Sequence, residues 1–296
     1  MGLGQDGNTL VMLIAILAIV FCIFQFLWVV YYLSGKDESS YQAILNWFRL
    51  PADFHTLLNR PWTLFTYMFM HEKVWHMLGN LLWLWAFGYI FQDLTGNKRL
   101  IPLFLYGGVA GGLFFMVCYN LFPALVPQMH VATLIGASAG VMAIAIATTT
   151  LAPDYRIFPM INGGIPLWVL TVAYLIIDLA SIAGANSGGH LSHLAGAAIG
   201  FVFIYQLRRN RDWSAWMNNL FDWIGNLFNP DKQSWQKTAR TDLHYKTRGT
   251  QPYRKIPNIT QKRIDEILDK INQQGYRFLT DEEKDILKRA AEDEEL

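Results

Sequence analysis

The chain has 296 residues, 53% of them hydrophobic and 15% aromatic, but only 16% charged, against about 25% in an ordinary soluble domain. Of its 47 charged residues, 27 fall between positions 230 and 296, so an apolar block precedes a polar tail. A net charge of +1 leaves no basic footprint for nucleic acid. Two lone cysteines in apolar runs, Cys22 and Cys118, argue against a disulfide framework.

The first apolar run covers about residues 10 to 33 and has no basic segment before it, which reads as a retained membrane helix rather than a cleaved signal peptide. Five more runs follow, at about 75 to 92, 100 to 121, 135 to 152, 165 to 184 and 190 to 207. The fold class is therefore all-α: a polytopic bundle of six transmembrane helices over residues 1–212, with a small helical cytosolic tail. The fourth and sixth runs are rich in Gly and Ala, which let helix backbones approach closely, so these two are expected at the centre. Lys98 and Arg99, Arg156, and Arg208, Arg209 and Arg211 mark the cytoplasmic ends of the spans. Both termini are then cytoplasmic.

Beyond the last span, residues 213–228 carry Trp and Phe on one helical face and predict a helix lying in the interface. Residues 229–257 read as a polar linker. Residues 258–296 predict a helical hairpin, with Ile264, Ile267, Leu268 and Ile271 marking the first helix. Gly275 ends that helix, and Thr280 with Glu283 forms the capping box of the second.

Polar residues inside a membrane block are expensive and usually functional. Three clusters stand out: His71 to Asn80 entering the second span, Ser138 entering the fourth, and His190 with His193 entering the sixth. All three even-numbered spans run inward from the outer face, so the clusters share one depth below the outer surface. A serine needs a base to act as a nucleophile, and histidine is the usual one. A forming oxyanion needs donors. Ser138, His193, His76 and Asn80 supply these roles together.

Gly136-Ala137-Ser138-Ala139-Gly140 matches G-x-S-x-G, yet no alternation of strands and helices surrounds it, which excludes the soluble hydrolase that this pattern normally marks. Gly136 and Gly140 instead leave room for a substrate backbone and a neighbouring helix. His71 and His76 lie five apart, about 140° apart around a helix, which misfits the zinc motif of histidines four apart. His190 and His193 have a spacing that a metal accepts; the plainer reading makes one a catalyst and the other structural. Asp178 is either a triad acid behind His193 or, in the preferred reading, a partly hydrated carboxylate bonding backbone or Trp N–H near the interface.

Together these residues resemble the rhomboid family of intramembrane serine proteases over about residues 10 to 208. The resemblance rests on Gly136 and Ser138, on His193 with Gly196 and Gly200, on His76 to Asn80, and on the first-loop run NRPWTLFTYMFMH ending at His71. It implies Ser138 as nucleophile, His193 as general base, and His76, Asn80 and the Ser138 backbone N–H around the oxyanion. It also implies that Gly196 and Gly200 pack the sixth helix on the fourth. The family's first-loop Trp-Arg pair reads Trp62-Thr63 here. Where some members place a tyrosine on the catalytic histidine, this chain has Met142, whose thioether is expected to pack there instead.

The expected activity is hydrolysis of a peptide bond near the outer end of another protein's transmembrane helix. Substrates must unwind locally, and residues 181–189 are expected to serve as a lid beside a mobile fifth helix. The partners are transmembrane substrates and the lipid bilayer, with no cofactor, no metal and no nucleic acid. No partner of the tail is assigned. A prokaryotic plasma membrane is the expected location. The alternatives are an inactive relative that binds membrane helices, and a metal- or haem-binding protein using His71, His76, His190 and His193.

Overall fold

The computed structural model describes residues 8–157, 160, 163–184, 186–227 and 261–293. They fall into two compact units, Met1–Phe228 and Asn229–Leu296.

The first unit opens with α1 (Thr9–Leu33), started by Asn8, whose side chain accepts the N–H groups of Leu10 and Val11. Four short helices or turns follow in the first loop: α2 (Glu38–Leu45), α3 (Phe54–Asn59), α4 (Thr63–Thr66) and a 3₁₀ turn at Tyr67–Phe69. Then come α5 (Val74–Thr95), α6 (Leu100–Leu121), α7 (Ser138–Leu151), α8 (Leu167–Ser181), α9 (Ser187–Leu207) and α10 (Ala215–Leu227). Among the described residues four helices are long and apolar enough to cross a membrane: α1, α5, α6 with its leading turn, and α9. Helices α7 and α8 are apolar but have only 14 and 15 residues.

Both short helices are shorter than the apolar runs that announced them, for local reasons. Residues ahead of Ser138 are extended: β2 (Thr133–Leu134) pairs antiparallel with β1 (Leu50–Pro51). Ahead of α8, β4 (Ile165–Pro166) pairs with β3 (Arg156–Ile157), and Pro166 sits immediately before the first helical residue.

Helix α7 is the axis of the bundle. Ala139 to Ala145, with Ala147 and Thr148, are buried, and α5, α6 and α9 surround it. The small residues decide this. A β-carbon at Gly111 on α6 would lie 2.6 Å from Ala139 Cβ, and one at Gly140 would lie 2.6 Å from the Phe104 ring. On α9, a β-carbon at Gly196 would overlap the carbonyl oxygen of Ala139, and one at Gly200 that of Ala143. Helix α8 is the opposite case: only Leu167, Thr171 and Asp178 are buried, while Ile176, Ile177 and Leu179 face outward. Outward apolar side chains are what a lipid-facing helix carries.

The second unit contains α11 (Gln261–Gln274) and α12 (Asp281–Asp293), packed through Ile267, Leu279 and Ile286. Gly275, at φ +90°, turns the chain between them. Thr280 Oγ1 accepts the Glu283 N–H, and the Glu283 carboxylate accepts the Thr280 N–H, closing the capping box. The linker expected at 229–257 lies outside the described residues.

Candidate active site

Ser138 is the first residue of α7. The N–H groups of a helix's first turn have no partner within the helix and carry partial positive charge, so the serine stands among donors aimed out of the helix end. Its approach is fixed by the first loop. The Ala52 N–H bonds the Ala132 carbonyl at 3.0 Å, the Gly136 N–H bonds the Tyr67 carbonyl at 3.0 Å, and the Ala137 N–H bonds His71 Nε2 at 3.3 Å. Gly136 takes φ +126°, a conformation closed to other residues at low cost. A β-carbon there would also strike the His76 ring, 2.7 Å from Cε1, and lie 3.7 Å from Ser138 Oγ. Gly136 thus leaves space beside both the His76 ring and the serine hydroxyl.

His71 is the functional residue that sequence reasoning undervalued. Its Nε2 accepts from Ala137, so that nitrogen carries no proton, and the Asn80 amide donates to it at 2.9 Å. Asn80, buried on α5, spends one amide hydrogen on His71 and keeps the second. The His71 and His76 rings meet edge to face at 5.2 Å. The sequence signal was present in the first-loop run, but nothing in it showed that the ring reaches back to the backbone beside Ser138.

The loop that holds this arrangement is itself tied down by aromatic and cationic contacts. Trp62 Nε1 donates to the Trp47 carbonyl at 2.8 Å, the two indoles stack at 6.0 Å, and the Arg60 guanidinium lies 4.4 Å over Trp47. Arg49 pairs with Glu72, next to His71.

His193 lies on α9, one turn before Gly196, buried. Because Gly196 rests on Ala139, the residues flanking that contact, Ser138 and His193, emerge on neighbouring helices in one region. Among the described residues Ser138 Oγ has no hydrogen-bond partner; catalytic bonds are often loose before substrate arrives. The aromatic ring beside His193 is Tyr174 of α8, at 5.9 Å, which also packs on Trp83 of α5 at 4.9 Å. Met142, expected to fill that role, is fully buried on α7.

Asp178 corrects the preferred sequence reading. It is not a hydrated carboxylate at the interface: it is buried, 1% exposed, and its Oδ1 lies 2.7 Å from His190 Nδ1 and 3.0 Å from His193 Nδ1. The ligand atoms of Asp178, His190 and His193 fall within 4.8 Å of one another, a set that fits three ligands of a divalent zinc-like ion. His71 and His76 pack ring to ring and are not part of that three-residue set.

The apolar helices and this recessed polar cluster define an integral, multi-pass membrane protein. The Rhomboid domain family matches residues 58–210, and the chain belongs to the rhomboid family. The match begins in the first loop and ends after α9, so it contains every residue of the cluster. Residues 251–293 match a family of unknown function, DUF6576. The chain is 26% identical over 179 residues to RHOMBOID-like protein 12, mitochondrial, of Arabidopsis thaliana, covering 57% of this chain and 53% of that protein. It is 27% identical over 208 residues to the presenilin-associated rhomboid-like protein, mitochondrial, of Rattus norvegicus, covering 68% and 49%. It is 24% identical over 172 residues to Rhomboid protease GlpG of Pectobacterium atrosepticum, covering 56% and 55%. The chain thus spans about half the length of the curated relatives it matches. Mitochondrial proteins stand among them beside a bacterial one, so they lend no preference to the prokaryotic plasma membrane expected from the sequence.

Proposed function

We propose that this chain is an intramembrane serine protease that cuts peptide bonds near one end of transmembrane helices, with Ser138 as nucleophile and His193 as general base. The observation that carries the reading is the close seating of Gly196, one turn from His193 on α9, against Ala139, the residue after Ser138 on α7. Membership of the rhomboid family and likeness to a named rhomboid protease support it.

In the proposed bundle α1 and α5 to α9 are the six spans, and the basic residues lie on the face shared by both chain ends. Arg208 Nη2 donates to the Thr150 carbonyl at 2.7 Å, tying the C-terminal end of α7 to that basic face. Fourteen helical residues rise about 21 Å. Against a hydrocarbon core of roughly 30 Å, Ser138 stands about 9 Å below the opposite surface. Water reaches that depth only through a polar cavity, which His76, Asn80 and His193 would line.

The chemistry then runs as acyl transfer. Ser138 Oγ forms a bond to the scissile carbonyl carbon while its proton passes to His193 Nε2, and the carbonyl π electrons move onto oxygen. In this reading the α7 N-terminal amides, His76 and the second Asn80 amide hydrogen are the donors to that oxyanion. Collapse breaks the C–N bond and His193 protonates the leaving amine. Water, deprotonated by His193, then releases the acid and restores the serine. Substrates with Gly, Ala, Pro or polar residues near the outer end of their helix unwind most readily, since a regular helix keeps its carbonyls bonded.

Purified protein in detergent, incubated with a panel of single-span substrates beside Ser138→Ala, tests the reading. Cleavage by the parent and none by the variant, with fluorophosphonate labelling at Ser138, supports it. Cleavage surviving in the variant refutes it, and binding of substrates without cleavage in either protein identifies a helix-binding relative instead.

A further inference from the structure

We infer that Asp178 is a positioning residue for His193, and that His190 is the second donor which lets a buried carboxylate serve there, so that the site works as a Ser–His–Asp set braced by a fourth residue. This rests on the protease reading above and deepens it.

Asp178 Oδ1 is shared by His190 Nδ1 at 2.7 Å and His193 Nδ1 at 3.0 Å, and Oδ2 lies 3.1 Å from the same His193 nitrogen. An oxygen contacted by two ring nitrogens is their common acceptor, so both rings present N–H at Nδ1. That settles the tautomer of His193: the proton is on Nδ1, and Nε2 keeps its lone pair. A general base for a serine needs that arrangement, and a buried acid behind the ring also favours the imidazolium formed when the proton arrives.

A buried carboxylate is tolerated only when donors satisfy it. Asp178 sits on α8, whose neighbouring positions 176, 177 and 179 point outward among apolar residues. His193 alone would leave one side of the carboxylate bare. His190, one turn earlier on α9, fills it, and the two imidazoles meet nearly perpendicular at 5.9 Å. This gives His190 a task that a two-residue site does not explain.

The placement has a consequence for motion. Helix α8 buries few of its residues, and Asp178 is its one buried charged side chain. The base is therefore held in its working tautomer only while α8 is docked on α9, so an outward swing of α8 disarms His193 and its return rearms it.

Steady-state cleavage of a transmembrane substrate, read as kcat and KM separately, distinguishes this from a packing role. The ionisable groups facing His193 are Asp178 and Tyr174 on α8, His190 on α9 and His76 on α5. Asp178→Asn keeps the shape of the side chain. It is expected to lower kcat by roughly 10²–10⁴-fold with little change in KM. Asp178→Glu should recover part of the rate, and His190→Phe should lose roughly tenfold through the weakened brace. A thermal melt in detergent checks that each variant is folded. If the parent cuts no substrate, the protease reading itself fails. If the parent cuts and Asp178→Asn matches it in kcat, only this inference falls. A loss of kcat accompanied by a raised KM, with no recovery in Asp178→Glu, also overturns it, in favour of packing alone.

Discussion

Gly196 rests directly on Ala139, with no space for even one carbon between α9 and the carbonyl of α7. Gly200 repeats the contact one turn on against Ala143. The pair sets the distance between the helices that carry Ser138 and His193, so the reaction depends on two missing methyl groups. Gly196→Ala and Gly200→Ala should each cost about 1–3 kcal/mol through overpacking and should reduce cleavage further than that loss of folded protein explains. Gly79→Ala on α5 is the control: nothing lies within 4 Å of the added carbon, and removing a mid-helix glycine should stabilise by about 0.5–1 kcal/mol. Thermal unfolding beside initial cleavage rates, for all three variants, reads both effects.

His71 is not in the proposed chemistry, yet it holds the residue before the nucleophile. Replacing it with Phe removes the acceptor of the Ala137 N–H and frees the Asn80 amide. A buried N–H left unpaired costs about 1–3 kcal/mol. His71→Phe is therefore expected to lower the melting temperature and the cleavage rate together, while a serine-reactive probe still labels Ser138, more slowly. Unchanged labelling kinetics would contradict the assignment of His71 to the approach of α7.

The features legible in the sequence were those with a local cause. Apolar runs gave the positions of α1, α5, α6 and α9, small residues gave the central place of α7, and Thr280 with Glu283 gave a helix start that forms as a reciprocal cap. Helices α7 and α8 start a few residues inside the runs expected from about 135 and 165, because pairing of 133–134 with the distant 50–51, and of 165–166 with 156–157, holds the chain extended ahead of each helix. Asp178 was misjudged for a related reason. A lone carboxylate in an apolar run has no periodic pattern, and its partners His190 and His193 lie on the next helix, so only the fold brings them together. His71 and Tyr174 were overlooked in the same way: each acts across helices, His71 on Ala137 and Tyr174 between Trp83 and His193.

The three ligand atoms of Asp178, His190 and His193 that lie within 4.8 Å of one another should make cleavage sensitive to zinc. Zinc takes histidine nitrogen and carboxylate oxygen at about 2.0–2.2 Å, and it would displace the Nδ1 protons that orient His193. Added zinc is expected to slow the parent enzyme, more strongly at higher pH because the metal competes with those protons. A chelator should restore the rate, and His190→Phe should be far less sensitive. Equal inhibition of the parent and His190→Phe would place any zinc effect elsewhere.

The second unit should unfold in acid through one residue. Glu283 accepts from Lys270 Nζ at 2.8 and 2.9 Å and from the Thr280 N–H at 2.8 Å. The Lys270 hydrogen bond, with the Thr280 N–H behind it, draws its carboxyl from the ordinary 4.5 down to about 2. A depressed acid favours the folded form in its ionised state, so this contribution is complete above pH 4.5 and is lost as pH falls toward 2. Amide signals of residues 261–293, followed in the whole chain from pH 6 to pH 2, should report loss of helix across that window. Glu283→Gln, which cannot ionise, should start from a less stable helix and show a flatter response. A parent and a variant that melt alike would remove Glu283 as the cause.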